Sequence, residues 1–332
     1  MWLRRLRWRF GNFAGENMVM QLLLAALLVL MELNCENLFD CLHDEGKNDT
    51  EFLPQGSRRW TPTRYRHKCD QIARAILSAS EPPAIVALCE VENDSVMHHL
   101  TRRGMLRPLN YEYFITSSAD ERGIDVALMY QPYRFRPIHH NVFRIDAAAS
   151  DRPTRDILYV SGRVESGDTL HVMVVHAPSK ATKGKKGHLR RMLVSRRVAE
   201  IADSVRALSP HAHIVVMGDF NETVAGASLC YLLQRQFHSV AAQSTGCHGA
   251  RGTYRFRGKW EHIDHILVSG SLMPKVVKAT VADAPFLLEP DPKYGGVRPA
   301  RVFMGTKYNK KGVSDHLPLV LTLCLQNPSL GY

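Results

Sequence analysis

Short apolar runs that stop abruptly at a polar residue recur along the chain. Residues 27–34 read as a buried strand, and residues 84–89 as a second one running into Glu90. Residues 124–130 and 158–164 read as further strands, and residues 170–175 as an apolar strand meeting His176-Ala177-Pro178. Residues 213–217 run into Gly218-Asp219-Phe220-Asn221, and residues 263–269 and 317–325 are the last two clear strands. Helical spacing is evident in two places. Residues 64–79 put Tyr65, Cys69, Ile72, Ala73, Ile76 and Leu77 on one face, with Thr61-Pro62-Thr63 as cap and start and Pro82-Pro83 as stop. Residues 188–208 put Val194, Val198, Ile201, Val205 and Leu208 on another.

The polar residues at the strand ends are chemically capable: Asn34, Glu90, His176, Asp219 and Asn221, with Asp264 beside its strand. Strand ends gathered at one rim of a sheet place such residues on a rigid scaffold. Strand pairs such as 124–130 and 158–164 have no helix between them, which favours antiparallel or mixed sheets over a doubly wound parallel one.

Composition sets the class. The 332 residues are 45% apolar and 23% charged, which excludes a disordered, collagen-like or coiled-coil chain. Lys and Arg exceed Asp and Glu by a formal charge of +11, a balance that suits a polyanionic partner. The seven cysteines are odd in number, form no CxxC pair and lie partly inside apolar runs, so they read as free thiols rather than disulfides or a zinc site. Residues 1–26 form an extension with a basic head, Trp-Leu-Arg-Arg-Leu-Arg-Trp-Arg, ahead of an apolar stretch from Met18. The basic-apolar order resembles a signal peptide, yet no small-residue cleavage site follows, and the apolar stretch runs straight into the first core strand. The expectation is a cytoplasmic chain, with export or membrane-surface attachment as the alternative, a main domain over residues 27–326 and a tail over 327–332.

Each motif alone is ambiguous, since Gly-Asp is a common turn and Ser314-Asp315-His316 is a plausible one. Their order is not. The chain reads Asn34-Cys35-Glu36-Asn37, Cys89-Glu90-Val91-Glu92-Asn93, His176-Ala177-Pro178, Gly218-Asp219-Phe220-Asn221, Ile263-Asp264-His265 and Ser314-Asp315-His316-Leu317-Pro318. This series resembles the endonuclease/exonuclease/phosphatase superfamily, the DNase I-like fold, over about residues 27–325. Gly252-Thr253-Tyr254-Arg255-Phe256 through Trp260 is similar to a bacterial subgroup of it.

The resemblance implies an α+β, four-layer α/β/β/α sandwich and a Mg²⁺-dependent hydrolase, with Mn²⁺ as a substitute. It implies Glu90 as metal ligand, Asn34 beside it and Asp315 as a second carboxylate, the hard oxygen set that Mg²⁺ prefers. Asp219 and Asn221 would meet the attacking water and the phosphate. His316, paired with Asp264, would contact the scissile phosphate, and His176 matches a histidine that protonates the leaving oxygen in the DNase I-like branch. In-line hydrolysis needs those parts.

Asp125 lies on an otherwise apolar strand and either orients His176 or faces solvent; His262 and His265 fall on other faces or in solvent, and His139-His140 reads as exposed loop. Residues 180–197 carry Lys180, Lys183, Lys185, Lys186, Arg190 and Arg191 with no acid, either a phosphate-contacting segment near the site or a solvated loop and helix face. The segment 286–312 should overhang the site. The function read here is hydrolysis of nucleic-acid phosphodiesters by a monomer, with no protein partner indicated. The alternatives are a phosphatase of phospholipids or small phosphoesters, and an inactive binding module.

Overall fold

Period-two alternation along the strands sorts their side chains onto two faces, and two six-stranded sheets follow from it. The computed structural model describes residues 27–145, 153–180 and 185–325. Strands are numbered in chain order. The first sheet holds β1 (Leu27–Leu38), β2 (Ile85–Val91), β3 (Glu112–Ile115), β4 (Asp125–Tyr130), β13 (Val276–Val281) and β18 (Leu319–Cys324), in the order β13-β18-β1-β2-β4-β3. The second holds β5 (Phe135–Phe143), β6 (Ile157–Val164), β7 (Thr169–His176), β8 (His213–Asp219), β9 (Phe237–Ser239) and β12 (Asp264–Ser269), in the order β5-β6-β7-β8-β12-β9. Each sheet has one parallel pair at its centre, β1 with β2 and β7 with β8, and is otherwise antiparallel.

Leu170, Val172 and Val174 of β7, with Val215 and Met217 of β8 and Ile266 and Val268 of β12, join the core shared with the first sheet. Their neighbours Met173, Val175, Ile214, Val216 and Leu267 face the other way, under Val194, Val198 and Ala202 of α3 (Lys185–Leu208). Each such fully buried aliphatic side chain contributes about 1.5–3 kcal/mol. α1 (Pro62–Ile76) packs against β1, capped by Thr61, whose hydroxyl accepts from the Arg64 N–H, and started by Pro62. α2 (Asp94–Arg102) and α4 (Ala227–Leu233) are shorter. Three hairpins, β10 (Tyr254–Phe256) with β11 (Lys259–Glu261), β14 (Leu288–Pro290) with β15 (Val297–Pro299), and β16 (Phe303–Met304) with β17 (Lys307–Tyr308), lie outside the two sheets. The result is the α+β sandwich expected from the sequence.

Several boundaries differ from expectation. β1 continues past Asn34, opposite Cys89, through an irregularity that shifts its register, to Leu38, opposite Val91. His139 and His140 lie in strand β5, not a loop; that strand is an exposed edge, and its scattered apolar residues form no run that would mark it. The buried face of α1 includes Lys68, a charge where the periodicity suggested only apolar residues. All seven cysteines are free. Residues 1–26 and 326–332 lie outside the described residues; among those described, no helix is long and apolar enough to cross a membrane.

Candidate active site

Strand register assembles the centre. Parallel pairing of β7 with β8 sets His176 opposite Asp219, and antiparallel pairing of β8 with β12 sets Asp264 opposite the same Asp219. In the first sheet, Asn34 of β1 lies opposite Cys89, one residue before Glu90. Both β1 and β2 are irregular at this point, and Glu36, Asn37, Glu90 and Asn221 all have left-handed backbones with φ of 50°, 58°, 61° and 51°. Such residues cost about 1–3 kcal/mol each and persist where the surroundings over-determine them. Gly218 has no alternative: with φ at 146°, a Cβ there would lie 1.8 Å from the Val175 carbonyl oxygen.

Asp219 is the hub. Its Oδ2 accepts from Asn34 Nδ2 (3.1 Å) and Asn221 Nδ2 (3.1 Å), and its Oδ1 from the Asn221 backbone N–H (2.7 Å). Burial, then the nearby Asp264 charge, pushes its carboxyl up to about 7 against the pull of His316 and those donors. His316 Nδ1 donates to both oxygens of Asp264, at 2.9 and 2.8 Å, which leaves Nε2 3.9 Å from Asp315 Oδ1 and 4.0 Å from Asp219 Oδ2. Burial opposes the imidazolium, but Asp264, Asp219 and Asp315 outweigh it and hold His316 well above its ordinary value. His176 is the reverse case. Burial first, then Arg155, Arg122 and His316, push it well below 6.5, so this ring is neutral. Its Nε2 faces Asp219 Oδ2 at 3.7 Å and Glu90 Oε1 at 3.8 Å, while its buried Nδ1 has no partner.

Of these residues, Glu90, His176, Asp219, Asn221 and His316 line a basin of about 730 Å³, which Glu36, Arg58, Arg122, Lys180, Arg301 and Asp315 help to complete. Glu90 Oε2 accepts from the Asn37 N–H (2.9 Å) and lies 3.5 Å from Arg122. Asp315 pairs with Arg301 (2.5 Å). Carboxylates of Glu90, Asp219 and Asp315 therefore open into one space, and this oxygen set fits a hard divalent cation. Ligand atoms of Asp219, Asp264 and His316 also lie within 4.8 Å of one another, enough to hold a metal ion. There the ion would compete with the proton on His316, so the open carboxylates of the basin are the better fit.

One expectation needs correcting. Asp125 neither orients His176 nor faces solvent. It is buried, and its Oδ1 accepts from the Thr116 hydroxyl (2.5 Å) and the Ser118 N–H (2.9 Å), tying β4 to the loop that leaves the preceding edge strand β3. Alternation points outward; the side chain instead turns in to partners at the neighbouring strand's end. His265 falls on another face, as expected; it is fully buried there beside Phe220, with Nε2 donating to the Glu222 carbonyl (2.8 Å). Of the basic segment, Lys180 lines the basin and pairs with Glu261 (2.8 Å). Arg190 donates to the Pro153 carbonyl (3.1 Å) and, with Lys186, lies outside the basin lining; Lys183 and the side chain of Lys185 lie outside the described residues.

Other participants had no local signal. Arg155, buried, donates to Asp120 (3.1 Å) and to the Ala177 carbonyl (2.9 Å), fixing the end of β7. Lys68 donates to the Val313 carbonyl, Ser314 Oγ donates to the Asn34 carbonyl (2.6 Å), and Glu36 accepts from the Val302 N–H (2.8 Å), clamping the loop that delivers His316. Tyr254 pairs with His316 through the backbone, its ring 4.9 Å from the imidazole. Glu32, beneath the hub, is fully buried with neither carboxyl oxygen partnered; burial, then Asp264 and Asp219, raises it well above the usual range, so it is protonated.

A face-to-face pair of mixed sheets with this carboxylate, amide and histidine rim defines a hydrolase of phosphoester bonds. The chain belongs to the Endonuclease/Exonuclease/phosphatase family, whose profile matches residues 29–324. No curated protein sequence matches it. Among solved structures, it is similar to an endonuclease/exonuclease/phosphatase family protein from Bacteroides thetaiotaomicron (16% identity, TM-score 0.57, 90% of this chain and 97% of that one). A mannosyl-6-phosphatase of the same organism matches at 16% identity and TM-score 0.59, covering 89% and 99%. The human Nocturnin catalytic domain matches at 17% and 0.54, covering 90% and 94%. At these identities the likeness is one of fold.

Proposed function

We propose that the chain is a Mg²⁺-dependent phosphodiesterase acting on nucleic acid, with Asp219 as the base. The observation that carries this reading is the hub itself: a buried carboxyl pushed up to about 7, fixed by Asn34 and Asn221, between a charged His316 and a neutral His176. A base works best with a pKa near the working pH. Asp219 takes the proton of the attacking water. The imidazolium of His316 donates to a phosphoryl oxygen, while Asn221, whose amide gives its hydrogens to Asp219 Oδ2 and to the Ala177 carbonyl, holds the base in position. A phosphate arriving beside His176 favours its protonated form, so the ring gains the proton for the leaving oxygen as substrate binds. Glu90 and Asp315, with Asn34 beside them, would hold the cation, which supplies neutralisation of phosphoryl charge.

Cations around the basin (Arg58, Arg122, Lys180 and Arg301) and the exposed Phe256 ring support a polyanion with a stacked base. One observation favours a small phosphoester instead: about 730 Å³, walled in part by Arg301, Phe303 and Gly305, is the size of a small-molecule site. A hydrolysis panel with Mg²⁺, comprising plasmid DNA, single-stranded DNA, RNA, abasic duplex, phosphoinositides, sphingomyelin and sugar phosphates, tests the choice. Turnover confined to the non-nucleic substrates would reverse it, and turnover of none would remove the enzymatic reading.

A further inference from the structure

A second, smaller recess adjoins the basin. It measures about 160 Å³, the room of roughly five waters, and shares Tyr254, Phe256, Arg301 and Asp315 with the basin as a common wall. Its own lining adds Arg255, Arg257, Arg298, Asp291 and Tyr294. Four arginines thus meet two aspartates in one recess, with Glu289 and Glu36 pairing Arg298 and Arg301 from outside its lining.

The recess is built, not an accident of loose loops. Arg255 is 7% exposed; it donates to the Gly295 carbonyl (2.8 Å) and to the Val297 carbonyl, and it lies 3.5 Å from Asp291. Its buried Nε has no hydrogen-bond partner. Asp291 Oδ1 in turn accepts from the backbone N–H groups of Lys293 and Tyr294, both at 3.1 Å. The hairpin tip packs tightly on this loop: a Cβ at Gly258 would lie 2.7 Å from Tyr294 Cβ. Arg298 is held by Glu289 (2.8 Å), and Arg257 is exposed at the tip, its guanidinium 5.2 Å from the Phe256 ring centroid. Phe256 itself is 54% exposed, an uncovered ring standing between the two cavities.

We propose that this recess is a subsite for a second phosphate of the substrate, one left intact while its neighbour is hydrolysed in the basin. Planar guanidinium groups suit phosphate, and the exposed Phe256 ring suits the organic group that links the two phosphates. The proposal rests on the phosphoesterase reading and narrows it to substrates with two phosphates, whether successive phosphates of an oligonucleotide or those of a small bisphosphate.

Two matched pairs separate these sources: the dinucleotide TpT against pTpT, and a hexose 6-phosphate against the 1,6-bisphosphate. Binding is measured by calorimetry with the full chain, and hydrolysis with Mg²⁺ is followed in parallel. At least one pair should show a preference of tenfold or more for the two-phosphate member, a difference of about 1.4 kcal/mol. Arg257→Glu, at an exposed position, should bring that ratio to about one; Arg298→Gln should lower it as well. No preference in either pair, or a preference that survives both substitutions, overturns the subsite. A preference in binding without any hydrolysis leaves the subsite standing and overturns the catalytic reading.

Discussion

His316 donates through Nδ1 to both carboxylate oxygens of Asp264, at 2.9 and 2.8 Å, across the gap between the loop before β18 and the first residue of β12. The contact fixes the ring's tautomer and its charge together, so the pair acts as one group. Asp264→Asn and His316→Gln should each reduce kcat by roughly 10²–10⁴-fold. The double variant should lose little more than the worse single one. Fully additive losses would mean the two act separately.

Glu90→Gln keeps the side chain's shape but removes a charge from the proposed cation site. Metal affinity, followed by titrating Mg²⁺ or Mn²⁺ into the chelated protein, should fall while thermal unfolding stays cooperative. Hydrolysis should vanish with excess chelator and return with either ion. Full activity in chelator would end the metal-assisted mechanism.

The Arg155–Asp120 pair is buried on both sides, at 7% and 8% exposure. Removing one partner of such a pair costs about 3–5 kcal/mol, because the other charge stays buried and alone. Asp120→Asn should lower the urea midpoint accordingly. Replacing both residues by apolar ones should recover much of the loss.

Asp125 separates structural from catalytic roles. Asp125→Ala removes the acceptor for Thr116 and Ser118 and should cost about 1–3 kcal/mol of stability. Near-native kcat is expected in the folded variant. A collapse of kcat with intact stability would restore it to the catalytic machinery.

Burial pushes His265 down from 6.5 to about 4. Between those values the unfolded chain binds the extra proton, so the residue's contribution is present above pH 6.5 and is lost as pH falls toward 4. The full swing is on the order of 3 kcal/mol. His265→Gln keeps a donor for the Glu222 carbonyl, and its unfolding free energy should fall less steeply over that window. Parallel slopes in variant and native protein would refute the assignment.

The centre of the sandwich was legible because buried strands are continuous apolar runs, and a polar residue ending one is conspicuous. Asn34, Glu90, His176, Asp219 and Asp264 all announce themselves this way. Legibility fails where burial and polarity part company. β5 is an edge strand with most of its side chains in solvent, so no apolar run marks it. Lys68 is a charge inside a helix's buried face, made tolerable by the Val313 carbonyl and by Glu36, both far away in sequence. Arg155 and Asp120 signal nothing until folding joins them. The recess beside Tyr254 is composed of two hairpins too short to show a period.

Ser314, which opens the segment carrying His316, bonds to the carbonyl of Asn34 across 280 positions of chain, and β18 pairs directly with β1. Contacts so distant in sequence close late, since the entropy of joining the ends must be met before they reward it. On a ribosome, the hub residues from 34 to 264 emerge before their histidine. The Asp264–His316 pair is thus the last part of the centre that the growing chain can complete, and β18 closes the sheet only after it.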